Sequence, residues 1–156
     1  CGPTAILNAC KWAGLSYTIK THHLYLTHLC ESTYESGTEE PQFERGLRLM
    51  SLGSLRIRKR LNPTYEMIMN HLKQPDSALI FLYWRPGHEY NRHLKDPIEG
   101  HYTFVLPGDG TDVRCVNDRR DQTVSSLPLA ELKKRIRFLN GEKVDAPRVW
   151  LLQRIK

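Results

Sequence analysis

The chain has a cysteine as its first residue, directly before a segment with the pattern of a helix, CGPTAILNAC. Pro3 suits the first turn of a helix, and apolar residues then recur at helical spacing until Gly14. A thiol at the N-terminus of a helix lies at the positive end of the helix dipole, which lowers its pKa and favours the thiolate. Cys1 is therefore the candidate nucleophile.

A cysteine that attacks a carbonyl needs an imidazole as general base, and the imidazole needs a carboxylate or an amide to orient it. Of the seven histidines, His101 is the best placed, because it follows Gly100 at the start of a predicted strand, HYTFVL. The next predicted strand comes after a PGDG turn and ends at Asn117 and Asp118. In a β-hairpin the start of one strand lies beside the end of the other, so these residues are expected at the same rim of the sheet as His101.

Helical patterns dominate the first half of the chain. They predict helices over residues 3–13, across 21–33, around 43–52 and from Pro63 to Gln74, with Asn62 as the N-cap of the last. Between the last two helices, LRIRKRL alternates between apolar and basic residues. This alternation predicts a half-buried strand with a basic outer face.

Strand patterns dominate the second half. Short segments rich in branched and aromatic residues, separated by turn sequences, predict antiparallel strands. They cover residues 78–84, 101–106, 112–117 and 148–155, with a helix over 128–139 before the last one. The predicted fold class is therefore α+β, with a helical N-terminal half packed on an antiparallel sheet from the C-terminal half, in one domain that spans residues 1–156.

Two polar loops are the expected sites of substrate selection. The segment 85–100 is long for a loop in a compact domain, and such loops are usually functional. Gly100, His88 and Trp84 lie in or beside it and are the candidate substrate-binding residues. The second loop covers residues 33–42.

Three motifs follow one another in an order that resembles a known family: CGPTA at the head of an apolar helix, GHYTFVL about 100 residues later, and VND at the end of the next strand. This order is similar to that of the papain-like cysteine peptidases, and most closely to the bacteriocin-processing peptidases that remove double-glycine leaders. The resemblance implies a papain-like fold with Cys1 as nucleophile, His101 as base and Asp118 as orienting residue, with Asn117 as the fallback.

The sequence departs from the family pattern in two respects. The Gln that family members carry a few residues before the cysteine has no counterpart here, so the backbone amides at the start of the first helix are the expected oxyanion donors. The Asp of the third motif is followed by Arg119, where the family usually has Pro.

The sequence leaves several functions open. The first is a cysteine peptidase or amidohydrolase that acts on a protein or peptide and matures by self-cleavage before Cys1. The alternative is a papain-like glutamine deamidase, transglutaminase-like enzyme or acyltransferase that acts on a partner protein with the same residues. An N-terminal-nucleophile hydrolase is disfavoured because its nucleophile begins a strand, and CGPTAILNAC has a helical pattern.

The net charge of +6 leaves a non-catalytic function open as well, because four basic residues are concentrated in LRIRKRL. This segment is expected to be a solvated sheet edge, and an acidic protein substrate would suit its charge. Contact with nucleic acid is less favoured, and a basic binding module without catalysis is the least favoured function of the chain.

The other three cysteines, Cys10, Cys30 and Cys115, lie in apolar patterns and are expected to be small core residues. No cysteine or histidine spacing matches a metal site, so neither a metal nor a cofactor is expected. No apolar run reaches the roughly 18 residues of a membrane span, and no signal peptide is recognisable. A cytoplasmic protein, or one secreted into a host cytosol, is therefore expected.

Overall fold

The computed structural model describes residues 1–33, 37–86, 98–116, 124–136 and 147–155, with the backbone alone for residues 19, 84–86, 98, 99 and 136. These residues form helices and one antiparallel sheet. The helices are α1 (Gly2–Trp12), α2 (Ile19–Leu29), α3 (Glu40–Ser51), α4 (Tyr65–Leu72) and α5 (Leu129–Ile136). The strands are β1 (Leu55–Leu61), β2 (Ser77–Pro86), β3 (Ile98–Pro107), β4 (Asp112–Val116), β5 (Val124–Pro128) and β6 (Arg148–Arg154).

The strands lie in the order β1-β6-β2-β3-β4-β5, and every neighbouring pair is antiparallel. Because side chains alternate along a strand, each strand supplies both faces of the sheet. One face packs against α1, α2 and α3, and we call its apolar side chains the first core. The other face packs against α4 and α5, and its apolar side chains form the second core. The α+β prediction is therefore confirmed.

Helix α1 lies at the centre of the first core. Its apolar residues are completely buried, from Ala5 and Ile6 to Cys10, and it contacts α2, α3 and strands β2 and β3. The helix ends where the sequence predicts, because Gly14 has a φ of +91°, a conformation that favours glycine. A buried central helix of this kind holds its N-terminal residue in a defined position relative to the sheet.

Some predicted boundaries were wrong. Asn62 does not cap α4: its φ is +48° and its backbone N–H donates to the carbonyl of Pro147, while the hydroxyl of Thr64 accepts from Met67 N at 3.1 Å and forms the cap. Asn62 is held instead by the chain that leads into β6. A cap needs a side-chain oxygen directly before the first turn, and Thr64 supplies it one residue after Pro63.

The strands also differ from the prediction in two places. The strand β5 was not predicted, because VSSLP shows no regular alternation and only Leu127 is buried. The predicted loop over 85–100 is shorter than expected, because β2 continues to Pro86 and pairs there with Ile98 of β3. Pairing with a neighbouring strand therefore forms β5 and lengthens β2 where the local sequence shows no alternation of its own.

Candidate active site

Cys1 lies at the N-terminus of α1 and is exposed. Its carbonyl oxygen accepts the first backbone hydrogen bond of the helix from Ala5, at 3.0 Å. Its Sγ lies 4.0 Å from the carbonyl oxygen of Gly100 in β3. That oxygen belongs to the peptide group that joins Gly100 to His101, so the fold brings together two sequence-predicted positions that are about 100 residues apart.

The side chain of His101 is 6% exposed and belongs to the sheet face that carries the second core. His101 pairs across the strands with Tyr83 of β2, and the two rings meet edge to face with their centroids 5.7 Å apart. Rings in this arrangement attract each other, so Tyr83 restricts the orientation of the imidazole. The base candidate is therefore held by the sheet and is not free to rotate into solvent.

Arg135 of α5 also contacts Tyr83. Its Nη1 donates to the Tyr83 hydroxyl at 2.8 Å, and its guanidinium carbon lies 4.7 Å from the centre of the Tyr83 ring. The sequence prediction missed both residues. Tyr83 can be recognised as a neighbour of His101 only once the register of β2 and β3 is known. Nothing in the sequence distinguishes Arg135 from the other basic residues in the last turn of α5.

The hairpin of β3 and β4 has the predicted geometry over its described part. Val116 pairs with Phe104, and the Thr103 hydroxyl donates to the Val116 carbonyl at 3.3 Å. The end of β4 therefore approaches the part of β3 that carries His101. Asn117 and Asp118 lie outside the described residues, so the residue that would orient His101 stays a prediction.

The segment before α3 packs against the first turn of α1. A Cβ atom on Gly2 would lie 2.6 Å from Thr38 Oγ1, so this close approach requires a glycine. Thr38 is held in turn by the hydroxyl of Ser32 at 2.6 Å and by the hydroxyl of Tyr102, which donates to the Thr38 carbonyl at 3.2 Å. Part of the predicted 33–42 loop therefore packs against Gly2, the residue that follows Cys1.

The predicted substrate-binding residues have different outcomes. Gly100 lies at the site, beside the thiol of Cys1. Trp84 pairs with Gly100 through its backbone, and its side chain is not among those described. His88 lies outside the described residues.

The remaining cysteines are buried, as predicted. Burial raises the pKa of the Cys10 thiol to about 12. Burial also raises the pKa of Cys30, to about 11, against the opposing effect of the nearby Arg45. These thiols are protonated at neutral pH and have the character of small apolar residues.

Two histidines of α2 bond to threonine hydroxyls. His23 Nε2 lies 3.2 Å from the hydroxyl of Thr4 in α1, and burial lowers the pKa of this histidine. The ring of His22 bonds to the hydroxyl of Thr21 at 2.8 Å. Among the described residues, no three His, Cys, Asp or Glu side chains lie close enough together to hold a metal ion.

The described helices and antiparallel sheet, with Cys1 at the start of α1 beside Gly100, form a papain-like fold. The solved structure of the peptidase domain of Streptococcus ComA, a bi-functional ABC transporter involved in a quorum sensing pathway, has this fold in common with the chain. The two align with a TM-score of 0.62 and 14% sequence identity, over 99% of this chain and 91% of that one.

The sequence-based resemblance to papain-like peptidases is therefore confirmed at the level of the fold. No family model matches the chain, and no curated protein matches it by sequence. In the part of the chain that the structure describes, no helix has the length and apolar character needed to cross a membrane.

Proposed function

We propose that the chain is a cysteine peptidase in which Cys1 attacks the carbonyl carbon of a peptide bond. The proposal depends mainly on one observation: the exposed thiol at the start of α1 lies beside the peptide group between Gly100 and His101. The nucleophile and its base would then come from a helix and a strand that the core holds rigidly against each other. The likeness to a peptidase domain supports the same chemistry.

In the proposed reaction, His101 takes the proton of the Cys1 thiol and the thiolate adds to the substrate carbonyl. The backbone N–H groups of the first turn of α1 have no acceptor within the helix and stabilise the oxyanion. The C–N bond then breaks, and the imidazolium of His101 protonates the leaving amine. Water, activated by the same imidazole, hydrolyses the thioester and regenerates the thiol.

The proposed orienting residue is Asp118, with Asn117 as the fallback. The VND motif favours Asp118. Strand alternation favours Asn117, because the odd-numbered residues Val113 and Cys115 of β4 share the second core with Val105, on the sheet face of His101. Separate Asp118→Ala and Asn117→Ala variants decide between them: loss of the orienting residue should lower kcat by at least about tenfold, and loss of the other should not.

Alkylation kinetics test the pairing of Cys1 with His101. Iodoacetamide at about pH 6 should label Cys1 first, since an unperturbed thiol is protonated there, and Cys10, Cys30 and Cys115 serve as internal controls. His101→Ala should slow the labelling of Cys1, and His28→Ala, on α2, should not. Equal labelling of all four cysteines, or no effect of His101→Ala, would contradict the proposal.

Product masses distinguish the peptidase from the alternative enzymes that share its acyl-enzyme. A peptidase splits a peptide substrate, a deamidase increases its mass by about one dalton, and an acyltransferase joins it to an amine. A peptide library incubated with the protein and with its Cys1→Ala variant should give cleavage only with the former. Deamidated or cross-linked products without cleavage would replace the peptidase by one of these alternatives.

Self-cleavage before Cys1 is a separate proposal. A precursor with added upstream residues should be cut immediately before Cys1, and the same precursor with Cys1→Ala should stay intact. Mass spectrometry of both gives the result, and equal cleavage of the two would mean that another peptidase makes the cut.

A further inference from the structure

Strand β1 presents a row of arginines at the edge of the sheet. Arg56, Arg58 and Arg60 are exposed, and alternation places them on one face, about 7 Å apart along the strand. None of the three forms an ion pair with another described residue. Lys59, between them, differs because it faces the opposite side and pairs with Glu40 and Glu44 of α3. No carboxylate of the described residues therefore neutralises the positive charge of these three arginines.

The backbone hydrogen bonds of this edge have a defined direction. Ile155 N donates to the Ser54 carbonyl at 2.9 Å, and Asn62 N donates to the Pro147 carbonyl at 3.1 Å. Both bonds follow the register that pairs β1 with β6, and both involve even-numbered residues of the β1 side. Because hydrogen-bonded and non-bonded pairs alternate in antiparallel strands, the arginines also bond to β6 through their backbone.

The odd-numbered residues of β1 therefore direct their N–H and C=O groups away from β6. These residues are Leu55, Ile57, Lys59 and Leu61. In the described sheet β1 has a neighbour on one side only, so these groups face the outer edge. Among them the Lys59 carbonyl accepts a hydrogen bond from Arg60 Nη1 at 3.1 Å, an exposed bond that an incoming strand would replace. An edge whose backbone groups have no strand partner is a template for a further strand.

We propose that β1 is a docking edge for an extended segment of a partner protein with acidic residues at alternate positions. The segment adds to the sheet as a strand: its backbone bonds to the odd-numbered residues of β1, and its carboxylates face Arg56, Arg58 and Arg60. On the other face it meets the half-buried Ile57 and the Leu61 side chain, which is 59% exposed. The recognised pattern is therefore acidic residues that alternate with apolar ones.

The arginines also explain why the edge selects its partner. Charged side chains protect an edge strand from pairing with neutral strands, and two copies of this row repel each other. An acidic strand reverses that repulsion. A nucleic acid is the less suitable occupant, because β1 has no aromatic side chain on which a base could stack and a phosphate chain makes no use of the strand's backbone groups.

Peptide binding tests the proposal. The probes are a fluorescent seven-residue peptide with alternating Glu and Val and a peptide of the same composition with its Glu residues consecutive. In anisotropy titrations at about 0.05 and 0.5 M salt, the alternating peptide should bind at least tenfold more tightly than the other peptide at both concentrations. The affinity for each peptide should be lower at the higher salt concentration. Equal affinity for the two peptides would overturn the proposal.

Two triple variants with equal charge separate β1 from the general basic surface. R56S/R58S/R60S should lose at least about tenfold in affinity for the alternating peptide. K11S/R48S/K73S removes three exposed basic residues from α1, α3 and the end of α4 and should change affinity less than about twofold. Equal losses in the two variants would mean non-specific attraction and would overturn the proposal.

A matched pair of substitutions tests the backbone contacts. Lys59→Pro and Lys59→Ala both remove the side chain, but only proline removes the N–H that faces the outer edge. Binding should be lost in Lys59→Pro and kept in Lys59→Ala. If Lys59→Pro and Lys59→Ala both have native circular dichroism and bind the peptide equally well, strand addition is contradicted. If Lys59→Pro does not fold, the comparison of R56S/R58S/R60S with K11S/R48S/K73S decides. Tighter binding of oligothymidylate than of the alternating peptide, lost in R56S/R58S/R60S, would assign the edge to nucleic acid instead.

Discussion

The two ends of helix α1 carry the same functional group in opposite surroundings. Cys1 is exposed at the first turn, beside Gly100, whereas Cys10 near the last turn is completely buried in the first core. Burial raises the pKa of Cys10 to about 12, because the thiolate would lose its hydration. Position on one helix, and not residue type, therefore separates a thiol suited to nucleophilic attack from one suited to packing.

The largest difference between the two ends should appear in catalysis. Cys1→Ala should lower kcat/KM of peptide cleavage by at least about 10³-fold, because no other group can form the thioester. Cys10→Ala should leave kcat/KM within about threefold and lower the free energy of unfolding by about 1 kcal/mol, because it leaves a small cavity. Measurable cleavage by Cys1→Ala at more than a few per cent of the native rate would exclude Cys1 as the nucleophile.

The buried end of the helix should contribute to the loss of stability at alkaline pH. The pKa of Cys10 is raised in the folded state, so the contribution of this thiol to stability is fully present below about pH 9 and is lost as the pH rises from there towards 12. Cys30 acts in the same way, up to its folded pKa of about 11. Between pH 9 and the folded-state pKa of each thiol, the free energy of unfolding should fall by roughly 1 kcal/mol per pH unit for that thiol.

Urea denaturation at several values of pH above 8 measures this dependence. The Cys10→Ala and Cys30→Ala variants should each show a shallower fall than the unsubstituted protein, while Cys1→Ala should not. A fall of the same slope in all four proteins would mean that other groups cause the alkaline loss of stability.

The glycines at the two ends should respond differently to alanine. Gly2→Ala should lower the free energy of unfolding by about 1–3 kcal/mol and also lower activity, because the new Cβ pushes Thr38 away from the first turn beside Cys1. Gly14→Ala meets no neighbouring atom, and its cost of about 1–2 kcal/mol should come from its φ of +91°, with activity unchanged.

The double variant Gly2→Ala/Thr38→Gly provides the control for steric contact. It should recover part of the stability lost in Gly2→Ala, since the three atoms nearest to the new Cβ all belong to the Thr38 side chain. Strict additivity of the two substitutions would show that the close approach is not the cause.

The smallest effect should come from the contacts behind His101. Tyr83→Phe keeps the ring that meets the imidazole and removes the hydroxyl that accepts from Arg135. It should lower kcat by about two- to fivefold with KM unchanged, and lower stability by about 1 kcal/mol. Tyr83→Leu removes the ring and should lower kcat further and shift the pH profile of kcat/KM, which a purely structural role would leave unmoved.

Local pattern predicted the elements more accurately than their ends. The helical spacing after Pro3, the alternation of LRIRKRL and the strand that contains His101 were all correct, because burial of one face is encoded in successive residues. The start of that strand was not, because β3 begins at Ile98. The cap of α4 was predicted wrongly because Asn62 and Thr64 are both good caps, and only the chain that leads into β6 engages Asn62. Strand β5 was missed because its pairing with β4 is not matched by any alternation in VSSLP.

The residues of the candidate site that could be predicted are those recognised by their type and by their place in a helix or strand. Those that could not be predicted depend on the pairing register of the strands. Cys1 and His101 were identified from a helix start and a strand start. Tyr83 lies opposite His101 only because β2 and β3 pair in one particular register. Arg135 reaches Tyr83 from a helix that follows β5, and no pattern in the sequence relates the two residues.

The sequence by itself determined the order of the helices and of every strand but β5, the helix that follows Cys1, the strand that contains His101 and the basic outer face of β1. These features depend on the spacing of neighbouring residues, which fixes the side of a helix or strand that is buried. The tertiary structure alone decided that the Cys1 thiol lies against Gly100, that Thr38 covers Gly2 and that the backbone groups of the odd-numbered β1 residues face the outer edge of the sheet. These contacts join residues far apart in the chain, and the packing of the two cores and the register of the strands determine which of them meet.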